Sequence, residues 1–137
     1  MKLCSACLLG INCRYNGEAK PNKKVLELLE KEVLIPVCPE QLGGLPIPRG
    51  PYELKDGRVV TNDGKDVTKE FQKGAKEVLK IAKLFNVKEA ILKQKSPSCG
   101  CGQIYDGTFS GKIISGYGIT TDLLRKNGIK IVSGDEV

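Results

Sequence analysis

Hydrophobic and polar positions along the chain follow two spacings, one typical of strands and one typical of helices. Short apolar runs predict strands over residues 2–9, 33–37, 89–93 and 129–132. Apolar residues three to four apart predict helices over residues 23–32, 66–86 and 120–127. The longest of these helices has the most regular apolar face, which is formed by Val67, Phe71, Ala75, Val78, Ala82 and Phe85.

The order of these elements predicts an α/β fold with three layers. Strands and helices alternate along the chain, which favours a mostly parallel, Rossmann-like sheet with right-handed crossovers. Residues 39–56 are rich in proline and glycine and are predicted to form a long ordered loop. Residues 57–61 are predicted as a short strand or hairpin edge, and residues 104–114 as a loop or hairpin. We expect residues 1–137 to form a single domain.

The amino-acid composition argues against several classes of protein. Six cysteines in 137 residues are too sparse for a disulfide scaffold, and the opening residues lack the apolar run of a secretory signal, so we expect a cytoplasmic protein. No apolar stretch approaches the roughly 18 residues that cross a bilayer. The net charge of +6 favours anionic ligands, although lysines scattered over helix faces are most often simply solvated. An aromatic content of 5% argues against a dedicated RNA-binding module.

Three cysteines lie near or just past the ends of apolar runs that predict strands: Cys7, Cys38 and Cys99. The carboxyl ends of parallel strands meet at one edge of a sheet, where ligands bind, so these thiols are expected to approach one another. The chain has no histidine, and a soft-metal site must therefore be built from thiolates. Any one of the three can equally be a small buried core residue.

The spacing of these cysteines fits neither a zinc ribbon nor a ferredoxin, because 31 and 61 residues separate them (38 minus 7 and 99 minus 38). If the three thiolates hold an iron–sulfur cube, one iron is left without a protein ligand. An open coordination position of that kind distinguishes catalytic from structural metal sites.

Long motifs surround all three cysteines. They are Ser5-Ala6-Cys7-Leu8-Leu9-Gly10 with Arg14-Tyr15-Asn16-Gly17, then Val37-Cys38-Pro39-Glu40-Gln41-Leu42-Gly43-Gly44 with Pro48-Arg49, then Lys95-Ser96-Pro97-Ser98-Cys99-Gly100 with Ile104-Tyr105-Asp106-Gly107. With these motifs the chain closely resembles the thiouracil desulfidase family, nearly from end to end. The resemblance implies a [4Fe-4S] cluster held by Cys7, Cys38 and Cys99, and removal of sulfur from thiouracil without net redox change.

The resemblance also implies catalytic roles for Glu40 and Ser96. Because histidine is absent, a carboxylate is the natural general base for an attacking water, and Ser96 would orient that water. Without the resemblance, the residues alone favour a helix-start or surface carboxylate at Glu40 and a turn residue before Pro97 at Ser96.

Four further residues are weaker candidates for substrate binding: Arg14, Tyr15, Arg49 and Ser98. An arginine offers forked donors to a carbonyl or phosphate, yet it is nearly as often engaged in surface ion pairs. A tyrosine can flank a flat pyrimidine. Ser98 has an alternative role as a hydrogen-bond donor to a cluster sulfide. The expected substrate is a thiolated pyrimidine base, nucleoside or nucleotide, with a thiolated RNA residue as a further option.

Two alternatives use the remaining cysteines. A structural or sensor module with zinc or a closed cluster would employ Cys4, Cys7, Cys99 and Cys101. A thiol redox protein would use Cys4 and Cys7 as a C-x-x-C pair. Cys4 is otherwise expected in the core, and Cys13 and Cys101 are expected to be bystanders.

Overall fold

The computed structural model describes residues 1–137 and confirms the predicted α/β class. Its strands are β1 (Lys2–Ser5), β2 (Leu34–Val37), β3 (Tyr52–Lys55), β4 (Arg58–Thr61), β5 (Glu89–Leu92), β6 (Cys101–Tyr105), β7 (Ile113–Tyr117) and β8 (Lys130–Ser133). Its helices are α1 (Lys23–Leu28), α2 (Pro39–Leu42), α3 (Thr68–Leu84) and α4 (Ile119–Lys126), with short 3-10 turns at Ala6–Leu9 and Gly134–Glu136. None of the helices combines the length and hydropathy that a membrane span requires.

Four parallel strands form the central sheet in the order β2-β1-β5-β8. The two inner strands are buried on both faces, which explains why they are apolar runs without alternation. The chain leaves β1 toward β2 on one side, and β5 lies on the other side of β1. The strand order therefore reverses between β1 and β5, and the crevice beside such a reversal is where α/β proteins bind ligands.

Helices cover both faces of this sheet. On one face, Val78 and Ala82 of α3 and Leu124 of α4 pack with Leu3 and Leu92 of the inner strands. The opposite face packs Val25 of α1 with Cys4, Leu34 and Ile91. The three layers follow from the apolar stripes of the helices, which can be removed from water only against the sheet.

Two predictions of local structure are wrong. Residues 39–56 are not one loop, because Pro39 begins the short helix α2 and Tyr52–Lys55 forms β3. Proline suits the first turn of a helix, and β3 depends on antiparallel pairing with β4, which its own sequence does not reveal. Strand β1 ends at Ser5 rather than residue 9, and the chain turns into a 3-10 helix. Residues 104–114 are part of the antiparallel β6–β7 hairpin.

Helix α2 lies against α3 with its backbone in direct contact. A Cβ atom added at Gly74 of α3 would lie 1.9 Å from the carbonyl oxygen of Pro39. A Cβ added at Gly43 would lie 2.0 Å from the carbonyl oxygen of Glu70. Only glycine permits this approach, and the contact fixes the position of the helix that follows Cys38.

Candidate active site

The structure places Cys7, Cys38 and Cys99 on the wall of one cavity of about 490 Å³. Cys7 lies in the 3-10 turn after β1, Cys38 directly follows β2, and Cys99 lies in the loop after β5. Two of these loops flank the position where the strand order reverses. Glu40 and Ser96 line the same cavity, so the five residues that the sequence singled out are brought together.

The loop that carries Cys99 is held by the hydroxyl of Ser96 and by helix α4. The Ser96 Oγ accepts hydrogen bonds from the backbone N–H groups of Ser98 and Cys99, each at 3.0 Å. The first N–H groups of α4, at Ile119 and Thr120, donate to the carbonyls of Pro97 and Ser98. These bonds satisfy donors that a helix start leaves unpaired, and they fix the backbone around the cysteine.

The two serines of this loop have different surroundings. Ser96 faces the cavity, and its hydroxyl hydrogen remains available to donate because the oxygen serves as an acceptor for the backbone. Ser98 is only 1% exposed, and its Oγ lies 2.8 Å from the Oγ1 of Thr120. The structure therefore places Ser98 behind the cavity wall, while Ser96 can reach a bound molecule.

Glu40 lies in the first turn of α2 and forms an ion pair with Arg49. The Arg49 Nη2 lies 3.2 Å from the Glu40 Oε2. Burial raises the pKa of Glu40, and the charge and hydrogen bond of Arg49 partly oppose this effect. The site thus contains a carboxylate whose proton affinity is increased by desolvation and limited by one cation.

Both terminal nitrogens of Arg49 are bound within the protein, whereas its buried Nε has no hydrogen-bond partner. In addition to Glu40, its guanidinium donates to the carbonyl of Cys13 at 2.9 Å and to that of Pro46 at 3.1 Å. The Arg49 side chain is 1% exposed. This arginine, considered above for substrate binding, therefore connects the loop after α2 to the Cys13 segment and supports Glu40.

Positive side chains form another part of the cavity wall: Arg14, Lys20, Lys93 and Lys95. Lys93 directly follows β5, and burial lowers its pKa, an effect that Cys7 and Asp135 partly oppose. The guanidinium of Arg14 lies 5.9 Å from the ring centre of Tyr15, which is 40% exposed and also lines the cavity. None of the three lysines was a candidate from the sequence, since nothing distinguishes them from the other lysines of the chain.

The remaining cysteines are distributed over different regions. Cys13 is buried on the cavity wall, where its thiol interacts with those of Cys7 and Cys38. Cys4 is fully buried in the core. Cys101 lines a different cavity of about 280 Å³, between β6, α4 and β8. The closed four-thiolate site considered above is therefore not assembled, because Cys4 and Cys101 lie outside the cavity that holds Cys7 and Cys99.

The cysteine thiols of the cavity suit a [4Fe-4S] cluster better than they suit a single metal ion. No three cysteine, aspartate or glutamate side chains converge on the position of a single metal ion. A cube distributes its thiolate ligands over separate irons, so three thiols spread along one cavity wall suit it better than they suit a lone ion. Cys7, Cys38 and Cys99 line the same cavity, which Cys13 also lines, so the thiols present suffice for a cluster with three cysteine ligands.

Cys38 and Cys99, whose pKa values are both raised, must lose protons to serve as ligands. Burial raises the pKa of Cys99 to about 12. The interaction with Cys13, followed by burial, raises the pKa of Cys38. Thiolates are the form that binds metal, so loading a cluster at neutral pH releases protons from these residues.

Comparison with known proteins identifies the class of this enzyme. Residues 3–136 match the model of the 2-thiouracil desulfurase family, and the chain belongs to this family. The resemblance seen in the sequence motifs is thereby confirmed, as is the expectation of an enzyme of the desulfidase class.

Two particular relatives cover almost the entire chain. The uncharacterized protein YbbK of Bacillus subtilis (strain 168) is 43% identical over 147 aligned positions, which cover 100% of this chain and 97% of that protein. The solved structure of the [4Fe-4S]-dependent thiouracil desulfidase TudS is 43% identical and superposes with a TM-score of 0.94. That superposition covers 99% of this chain and 91% of TudS.

Proposed function

We propose that this protein removes sulfur from thiolated pyrimidines by hydrolysis, using a [4Fe-4S] cluster held by Cys7, Cys38 and Cys99. Family membership and the likeness to TudS support a desulfidase. One observation carries the assignment of roles: the three thiols share their cavity with a partly buried carboxylate, Glu40, and with the hydroxyl of Ser96.

The proposed reaction exchanges sulfur for oxygen at one ring carbon. Water adds to the thione carbon, the C–S bond breaks, a C=O bond forms, and hydrosulfide leaves. The two protons of the water end on the general base and on the sulfur, and no electrons are gained or lost. When bound, the cluster supplies a Lewis-acidic iron that attracts the thione sulfur and stabilises the departing hydrosulfide.

Glu40 is the proposed general base. Its raised pKa makes it a stronger base than an exposed glutamate, and the nearby Arg49 favours its ionised form. Ser96 is proposed to donate its hydroxyl hydrogen to the attacking water while its oxygen accepts the N–H groups of Ser98 and Cys99. Ser96 thus orients the water from a loop that is itself fixed.

The positive side chains of the cavity wall favour one type of substrate over another. Arg14, Lys20 and Lys93 offer charged donors in the same space as the thiols. Phosphate groups are bound by such donors, whereas a free pyrimidine base presents no anionic group to them. We therefore propose that a thiolated nucleotide is a better substrate than the free base or nucleoside.

The test is a single anaerobic preparation assayed in two ways. Purified protein is expected to be brown and to contain iron and acid-labile sulfide in equal amounts. It is then assayed for sulfide release from 2-thiouracil, a thiolated nucleoside, its monophosphate and a thiolated RNA. Release that is fastest from the monophosphate supports the full proposal. A colourless, zinc-containing protein without sulfide release would exclude the desulfidase, and equal rates on base and nucleotide would exclude the role of the positive wall.

A further inference from the structure

Glu53 is a buried carboxylate on the cavity wall without a positive partner. It lies in β3, is 8% exposed, and forms none of the chain's ion pairs. Its Oε1 accepts two backbone hydrogen bonds, from Gly107 at 3.0 Å and from Phe109 at 3.1 Å. A buried carboxylate is costly unless hydrogen bonds satisfy it, and here the two backbone N–H groups of the neighbouring loop do so at the cavity wall.

The loop that Glu53 binds lies between β6 and β7 and has an unusual backbone. Phe109 has a φ of 57°, in the left-handed region that bulky residues rarely occupy. Gly107 is seated against β3, since an added Cβ would lie 2.6 Å from the Cβ of Lys55. Such strained conformations persist only when their surroundings impose them, and here the Glu53 carboxylate fixes the N–H of the strained residue itself.

The conformation places Phe109 on the wall of the cavity that contains the three thiols. Phe109 is half-buried and belongs to none of the buried core clusters. An aromatic ring at a site for a flat heterocycle can stack on that heterocycle.

We infer that Phe109 packs against the pyrimidine ring of the bound substrate, and that Glu53 is the positioning residue that holds Phe109 in place. This inference rests on the proposed function for its ligand. The β6–β7 loop then contributes to substrate affinity, whereas Glu40 and Ser96 carry out the proposed catalysis. Glu53 acts only through the backbone of the loop.

The test is a double-mutant cycle in cluster-loaded protein, with KM and kcat measured separately for sulfide release. Phe109→Ala is expected to raise KM by roughly 5- to 100-fold with little change in kcat, because stacking is lost equally from ground and transition states. Glu53→Ala is expected to raise KM as well. Combined with Phe109→Ala, it should add nothing further, since its effect passes through the same ring.

Conservative and unrelated variants serve as controls. Glu53→Gln retains an oxygen that accepts both N–H bonds and should restore KM to within a few-fold of the unaltered protein. Tyr117→Ala removes an exposed aromatic ring outside this cavity and should leave KM unchanged. Hydrogen exchange of residues 107–109 in cluster-free protein should accelerate in Glu53→Ala but not in Glu53→Gln, independently of turnover.

The outcomes separate this inference from the proposed function. If the unaltered protein releases sulfide but Phe109→Ala leaves KM unchanged, the stacking role is overturned and the desulfidase stands. Additive effects of Glu53→Ala and Phe109→Ala would overturn the positioning role. If the unaltered protein acts on no thiolated pyrimidine and binds no uracil nucleotide, both proposals fail.

Discussion

Replacing Arg49 by methionine should change the pH dependence of the enzyme and lower its stability. The substitution removes the only cation paired with Glu40, together with the bonds to the carbonyls of Cys13 and Pro46. Methionine fills a similar volume, so the main loss is electrostatic. Without Arg49, burial of Glu40 is unopposed, and the pKa of this carboxyl rises further.

The size of the effect follows from the geometry of the pair. Two unit charges about 4 Å apart attract by about 4 kcal/mol at the effective dielectric constant of about 20 that suits proteins. Each 1.36 kcal/mol of lost attraction reduces the ionised fraction of a carboxyl about tenfold. On the acidic side of its profile, Arg49→Met is therefore expected to lose about tenfold to a thousandfold in kcat/KM, and the acidic limb moves to higher pH.

Arg49→Met is also expected to change how the free energy of unfolding depends on pH. A carboxyl whose folded pKa is raised binds more protons in the folded state than in the unfolded state, so the free energy of unfolding falls as pH rises between the two pKa values. The gap in the free energy of unfolding between Arg49→Met and the unaltered protein should therefore widen as pH rises above the ordinary pKa of a glutamate toward the raised pKa of Glu40 in the variant. It should approach the roughly 3 to 5 kcal/mol expected when one partner of a buried pair is removed.

Two measurements on the same variants check this reasoning. The pH profile is recorded with cluster-loaded protein, so that any contribution of the cluster to the pKa of Glu40 is common to all variants. Urea unfolding of cluster-free protein gives the stability. Arg49→Lys is the matched control, because it keeps the charge and loses the fork. If Arg49→Met leaves the acidic limb and the pH dependence of stability unchanged, the assignment of Arg49 as the partner of Glu40 is wrong.

Three further predictions concern the cluster, the α2–α3 contact and the positive wall. The variants Cys7→Ala, Cys38→Ala and Cys99→Ala each remove a proposed cluster ligand and should lose the brown colour and the iron. Cys101→Ala should retain both. Gly74→Ala should destabilise the protein by about 1 to 3 kcal/mol in thermal unfolding, because its Cβ meets the carbonyl of Pro39 and displaces α2. Lys93→Met should raise KM for a thiolated nucleotide at least several-fold but leave KM for 2-thiouracil unchanged, and an equal rise for both would contradict a phosphate contact.

The sheet could be predicted because its strands carry their own signal. Residues 33–37 and 89–93 are short apolar runs bounded by polar or turn residues, and the cysteines that follow them reach one cavity as the strand-end rule requires. Helix α3 was equally evident from its apolar face. Local patterns are enough to predict an element when its own apolar residues form the face that it buries.

The parts that were missed depend on contacts between distant segments. β3 forms only because β4 pairs with it, and α2 is short enough to be hidden among prolines and glycines. Arg49 meets Glu40 through the fold of a loop, and Glu53 meets Phe109 across 56 positions of sequence. No spacing in the chain indicates either pair, although both determine how the cavity is built.

The most direct test of the central claim compares sulfide release from a thiolated pyrimidine by the unaltered protein and by Glu40→Gln, both purified without oxygen and loaded with iron and sulfide. We expect equal iron and sulfide contents in the two proteins. The unaltered protein should release sulfide steadily, and Glu40→Gln should release it at least a hundredfold more slowly. Undiminished release by Glu40→Gln, or a protein that binds no cluster through Cys7, Cys38 and Cys99, would contradict that claim.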